Sequence, residues 1–169
     1  MRSRHARSLV FALAVAACGT SEGAPDQGAP AEASVAVANA ELEQLPPILV
    51  YKTEGCGCCN GWVEHLRAAG FEVDARNVSD LMSVKLDAGV PADLSSCHTA
   101  LVDGYVVEGH VPADVVKRML AERPEAAGIA VPGMPVGSPG MEGSNPRPYQ
   151  VQLFDRQGDR SVYARIDPR

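Results

Sequence analysis

The sequence has no excess of basic charge, no apolar run long enough to cross a bilayer, and no paired cysteine knuckles of the kind that hold structural zinc. Each absence excludes something. Fifteen Lys and Arg stand against 21 Asp and Glu, a formal net charge of −6 over 169 residues. Three of the basic residues, Arg2, Arg4 and Arg7, precede the apolar run Leu9–Ala17. That run is too short for a transmembrane helix, and with its basic start it reads as an export signal over residues 1–17. Without that segment 12 basic residues face 21 acidic ones, a net charge of −9. No basic patch is left to neutralise phosphates, so nucleic acid is not an expected partner.

Val15-Ala16-Ala17-Cys18 resembles a bacterial lipobox, in which the signal is cut before a cysteine that then carries lipid. Gly19 follows it, and by resemblance to Gram-negative sorting rules this favours a periplasmic protein anchored to the outer membrane, with Cys18 lipidated. More than one acyl chain makes such an anchor stable. Residues 18–45 are rich in Ala, Gly, Pro, Glu and Ser and read as a flexible tether. Residues 46–169 then form the folded domain.

Four cysteines remain: Cys56, Cys58, Cys59 and Cys97. In an exported protein two stapling disulfides are the ordinary expectation. The spacing suits that poorly. A vicinal Cys58–Cys59 bridge is strained and a Cys56–Cys58 bridge closes a very small ring. A Cys56–Cys59 bridge is feasible and of a redox-active type. The cluster therefore reads as chemistry rather than stapling.

The run Ile48–Tyr51 predicts a short buried strand. Trp62, Leu66 and Ala69 mark one face of a helix that Gly70 stops. Phe71–Ala75 alternates like a strand. Ser79 is the expected N-cap of a helix through Leu81, Val84 and Ala88, ended by Gly89 and Pro91. Asp103-Gly104 is a strong hairpin signal between Thr99–Val102 and Tyr105–Val107. Pro112 opens a helix with Val115, Val116, Met119 and Leu120 as its stripe. Residues 124–148 hold many Pro and Gly and repeat Pro-Gly-Met at 132–134 and 139–141. Gln150–Phe154 and Ser161–Arg165 predict a last hairpin that either extends the sheet or covers this loop. The order βαβ then ββα predicts an α/β, thioredoxin-like fold: a four-stranded core with a C-terminal Gly/Pro/Met loop and a hairpin extension.

In that arrangement Cys56-Gly57-Cys58-Cys59 leaves a strand and opens a helix, where helix N–H groups favour thiolate. Cys56 and Cys59 form a C-x-x-C pair suited to a thiol–disulfide oxidoreductase. Cys58 between them does not suit that chemistry, because a third thiol scrambles the disulfide by exchange. It does suit a polynuclear site of soft ions bridged by thiolates. Cys97-His98 precedes the third strand, where a thioredoxin carries a cis-proline against its C-x-x-C; the topology brings Cys97 to the cluster. Met134 and Met141 offer thioethers, which are soft ligands for Cu(I). His98 and His110 lie near strand ends, equally suited to bind metal or backbone, and His65 is expected to face away. Trp62 is expected to cap the core beside the site, Met119 to be core, and Met82 to be structural or exposed. Four thiolates also suit tetrahedral zinc, the alternative metal, although C-x-C-C with a lone Cys is not its usual spacing.

Cys56-Gly57-Cys58-Cys59 with Trp62 and His65-Leu66, Ser96-Cys97-His98-Thr99, Val107 to Pro112, Ala130 to Pro135 and Gly137 to Glu142 together resemble one bacterial family, which includes the CopG-type copper-resistance proteins. The resemblance covers about residues 46–166. It implies a periplasmic thioredoxin-like domain that binds copper, contributes to copper tolerance and interconverts Cu(I) and Cu(II). It implies Cys56, Cys58, Cys59 and Cys97 as sulfur ligands, with Met134, Met141, His98 and His110 as further candidates. Expected partners are copper ions, other periplasmic copper-handling proteins, and the membrane through the lipid. No conventional enzyme is expected; copper or thiol oxidoreductase activity stays open.

Overall fold

Residues 45–168 are described by the structure, a computed structural model. The expected export signal, Cys18 and nearly all of the tether lie outside the described residues. Seven strands form one mixed sheet, and three helices connect them. In chain order the elements are β1 (Ile48–Lys52), α1 (Gly57–Ala68), β2 (Val73–Asn77), α2 (Leu81–Asp87), β3 (His98–Val102), β4 (Tyr105–Glu108), α3 (Ala113–Glu122), β5 (Gly128–Ala130), β6 (Tyr149–Phe154) and β7 (Arg160–Ile166). The sheet order is β2-β1-β3-β4-β5-β6-β7. β1 runs parallel to β2 and β4 parallel to β5; the other neighbours are antiparallel.

The core follows the apolar pattern. Ile48 and Val50 of β1, Trp62, Val63 and Leu66 of α1, and Val115, Val116 and Met119 of α3 join one buried cluster. Gly70, at φ +95°, ends α1 in a conformation that L side chains rarely adopt. Asp103 and Gly104, at φ 47° and 84°, form the tight β3–β4 turn that their sequence predicts. Arg123 closes α3 at φ 48°, with its N–H donating to Met119 O.

Four expectations need correction. β2 lies two residues later than Phe71–Ala75, because Phe71 leaves the strand path and is buried in the core. Asp80, not Ser79, caps α2, its Oδ1 accepting from Ser83 N–H at 3.0 Å. The fully buried residue of α2 is Lys85, while Leu81 and Val84 are only partly covered. The expected four-stranded core is part of a seven-stranded sheet: β5 arises inside the Pro/Gly-rich stretch, and the β6–β7 hairpin extends the sheet through it. A Cβ on Gly128 would overlap the Val106 carbonyl, with its carbon only 2.8 Å away, so glycine permits the close β4–β5 approach.

Candidate metal centre

α1 begins at the thiol cluster. Cys56 is its N-cap residue and makes no side-chain hydrogen bond to the first turn, which contains no acidic residue. The positive end of the α1 dipole is therefore unopposed by acidic side chains in its first turn. Cys56 and Cys59 are joined by a disulfide, and Cys58 and Cys97 are free thiols. Cys58 Sγ lies 3.6 Å from Cys56 Sγ and 3.8 Å from Cys97 Sγ. The four sulfurs lie within 4.8 Å of one another, although Cys97 comes from the residue immediately before the third strand.

Cys97 also belongs to a second donor group. Its sulfur is 3.3 Å from His98 Nδ1 and 3.0 Å from His110 Nε2. The opposite ring nitrogens face carbonyls: His98 Nε2 is 3.0 Å from Gly109 O, and His110 Nδ1 is 2.8 Å from Pro139 O. A carbonyl only accepts, so each of those nitrogens carries the proton. The lone pairs of Nδ1 in His98 and Nε2 in His110 are thereby aimed at Cys97. This is the arrangement that prepares imidazole to ligate a metal.

Burial favours the neutral form of both rings. It pushes the His98 pKa down to about 3, reinforced by His110 and Lys85, and it lowers that of His110 as well. Burial and the neighbouring Cys58 sulfur push the Cys97 thiol up to about 12. Without metal Cys97 is therefore a thiol, and a metal binding there must displace its proton. Trp62 lies beside His98 with ring centroids 4.3 Å apart and donates from Nε1 to Val111 O at 2.8 Å. It is fully buried in the core and forms one wall of the histidine pair.

The other sequence candidates separate. His65 accepts the Ala113 N–H at 3.0 Å, which occupies it at the start of α3. Met119 is core, and Met82 is exposed. Met134 is half exposed and follows Gly133, whose carbonyl accepts from Ser96 Oγ at 2.5 Å. Met141 is partly buried and follows Gly140, which packs on the backbone of Cys58 and Trp62. Both methionines thus sit one residue from an anchor on the centre's own loops.

Sequence reasoning missed the support beneath the site. Glu108 and Lys85 form a buried ion pair at 2.5 Å, and Glu108 also accepts from Ser96 N–H and Thr99 Oγ1. The available signal was a lysine inside the apolar pattern of α2 and a glutamate ending the apolar β4. The close pair Gly61 and Gly140 was also missed: a Cβ on Gly61 would lie 2.9 Å from Gly140 Cα.

Residues 94–141 match a family model described as "Protein of unknown function, DUF411". No curated protein matches the chain. Two solved structures, named copper resistance protein CopG in forms 2 and 1, are each 46% identical to it. The first similarity covers 73% of this chain and 99% of the other, with a TM-score of 0.69. The second covers 72% and 98%, with a TM-score of 0.68.

Proposed function

The chain belongs to the CopG-like copper-resistance family, and from that premise we propose that it is an exported copper-binding protein contributing to copper tolerance. Its reduced cysteines Cys56, Cys58, Cys59 and Cys97 hold Cu(I), with His98 and His110 completing the donor set beside Cys97. The observation that carries this reading is Cys97, a member of both donor groups. A thiolate common to two groups is suited to bridge soft ions, so the centre takes more than one copper. Met134 and Met141 are additional thioether ligands in this reading. Lipid on Cys18 anchors the protein to the periplasmic side of the outer membrane, where other copper-handling proteins exchange copper with it.

The fold in this reading is thioredoxin-like, with β5, β6 and β7 added. Its support is the order β1-α1-β2 then β3-β4-α3, with the first four strands arranged β2-β1-β3-β4. No proline stands immediately before β3, where Ser95, Ser96 and Cys97 lie, and no peptide bond among the described residues is cis. Cys97-His98 fills the place of the usual cis-proline.

Anaerobic Cu(I) titration of the reduced protein, with metal quantification, tests the function. Tight binding that is lost in a Cys56→Ser/Cys58→Ser/Cys59→Ser variant is expected. No tight binding, or binding unaffected by the triple substitution, overturns it. A zinc competition arm separates the alternative metal.

The Cys56–Cys59 disulfide favours one second reading, a thiol–disulfide oxidoreductase. Two electrons and two protons convert that bond to two thiols, so copper loading and thiol redox are coupled through the same sulfurs. Turnover of disulfide substrates by the metal-free protein would distinguish this activity.

A further inference from the structure

We infer that Glu108, held by Lys85, is a positioning residue for the metal centre: its carboxylate grips the Ser96 N–H and so fixes the Cys97-His98 pair. The purpose of that grip rests on the copper reading above. The grip itself is a property of the metal-free protein.

Glu108 ends β4 with its side chain fully buried, and the Lys85 side chain is 6% exposed. Oε1 of Glu108 accepts from Lys85 Nζ at 2.5 Å and from Ser96 N–H at 2.6 Å. Oε2 accepts from Thr99 Oγ1 at 2.7 Å, and Thr99 Oγ1 in turn accepts from Lys85 Nζ at 3.0 Å. Every polar member of this group therefore has a partner. Stability alone is a poor reason for such a group, because a buried ion pair is often no better than apolar residues of equal volume. What apolar residues cannot supply is an acceptor for Ser96.

Ser96 needs one. The segment before β3 has left the sheet, and its backbone N–H groups must find partners elsewhere. Ser95 O accepts from Gly133 N–H at 3.3 Å, and Ser96 Oγ donates to Gly133 O at 2.5 Å. On the other side Gly109 leaves no room: a Cβ there would lie 2.6 Å from Ser96 Oγ. The loop is thus fixed from two sides, and Glu108 supplies the buried charged contact. Cys97 follows immediately.

The same residue also sets the histidines. Thr99 and Glu108 are cross-strand partners in the β3–β4 ladder. His98 precedes Thr99, and His110 stands two residues beyond Glu108, with Gly109 O receiving the His98 proton. All three donors of the Cys97, His98 and His110 group therefore lie within two residues of the Thr99–Glu108 pair. A residue that locks this rung locks the relative placement of one sulfur and two imidazoles.

The test compares two double variants. Lys85→Met/Glu108→Gln removes the ion pair and keeps an oxygen for Ser96 N–H. Lys85→Met/Glu108→Met removes the ion pair and the oxygen with nearly the same shape. Positioning predicts that the Gln form stays near the parent in Cu(I) affinity, measured by competition with a chromophoric chelator. The Met form falls by about 10–100-fold, the range for losing a partner that orients a ligand. In the metal-free reduced proteins, the His98 and His110 side-chain nitrogen signals and the Cys97 alkylation rate move in the Met form only. A merely structural role changes both variants alike, and equal behaviour overturns the proposal. Thermal unfolding checks that each variant folds. If the Met form does not fold, Lys85→Met/Glu108→Asn replaces it, its amide one methylene too short for Ser96; behaviour equal to the Gln form then overturns the proposal. Should the parent bind no Cu(I), the copper reading fails, and the nitrogen signals and alkylation rates still decide the positioning.

Discussion

Gly140→Ala is the substitution whose effect the geometry fixes most closely. Gly140 has φ +81°, and a Cβ there would lie 2.7 Å from Trp62 N and against Cys58 O, both backbone atoms of α1. Backbone cannot turn aside as a side chain can. Left-handed strain in a residue with a Cβ costs about 1–2 kcal/mol, and overpacking against fixed atoms about 1–3 kcal/mol. The expected loss is therefore roughly 2–5 kcal/mol, a large part of the ~5–15 kcal/mol that holds a domain. The chain can relieve this only by moving the 138–141 loop away from α1. That shift carries Pro139 O away from His110 Nδ1, now 2.8 Å apart, and frees the ring to change tautomer. Copper affinity should then fall by about 10–100-fold. Urea unfolding gives the first number and Cu(I) competition the second. A variant within about 0.5 kcal/mol of the parent, or one that is destabilised with copper affinity intact, refutes the reasoning.

Trp62→Phe removes the Nε1–H that satisfies the buried Val111 carbonyl and should cost about 1–3 kcal/mol in chemical denaturation. Phe154→Ala should cost about 3–5 kcal/mol by the same measurement, because the ring is fully buried against the Val90 and Leu94 cluster. Mass spectrometry after alkylation of the unreduced domain should find labels on Cys58 and Cys97 only, and on all four domain cysteines after reduction. Stability of the metal-free domain should fall as pH drops from about 6.5 toward about 3. Across that window the unfolded chain binds a proton at His98 that the folded protein refuses, so the slope is up to about 1.4 kcal/mol per pH unit for this group. Urea midpoints against pH, with His98→Asn as the comparison, check it; an unchanged slope in that variant contradicts the assignment.

The cluster's place at a strand–helix junction was legible because Ile48–Tyr51 and the Trp62–Leu66 spacing mark the two elements unambiguously. Cys97's arrival beside it followed from strand order alone. The β3–β4 turn was legible because Asp103-Gly104 suits positive φ. β5 was not, since three residues carry no alternation and its pairing depends on how close Gly128 lets β4 come. Phe71 misled the placement of β2, because one apolar residue serves a strand or a core-facing loop equally well. The burial of Lys85 was not legible, since it makes sense only with Glu108, 23 residues away. The histidine tautomers depend on carbonyls whose positions no local pattern encodes.

The centre's contacts span long stretches of chain, and this bears on the order in which the protein is built. Cys58 and Cys97 are 39 residues apart, and His110 and the carbonyl that orients it are 29 apart. The run 56–59 is local and exists in any unfolded chain. The group of Cys97, His98 and His110 needs only the β3–β4 hairpin, but it meets the thiol run only once the 39-residue separation between Cys58 and Cys97 is closed, the slow part of forming a sheet of this kind. Before that closure the chain presents the 56–59 thiols apart from the imidazoles. An ion that prefers the finished site raises the unfolding midpoint in proportion to the logarithm of its concentration. In the copper reading, full loading thus requires that folding has brought the two halves together.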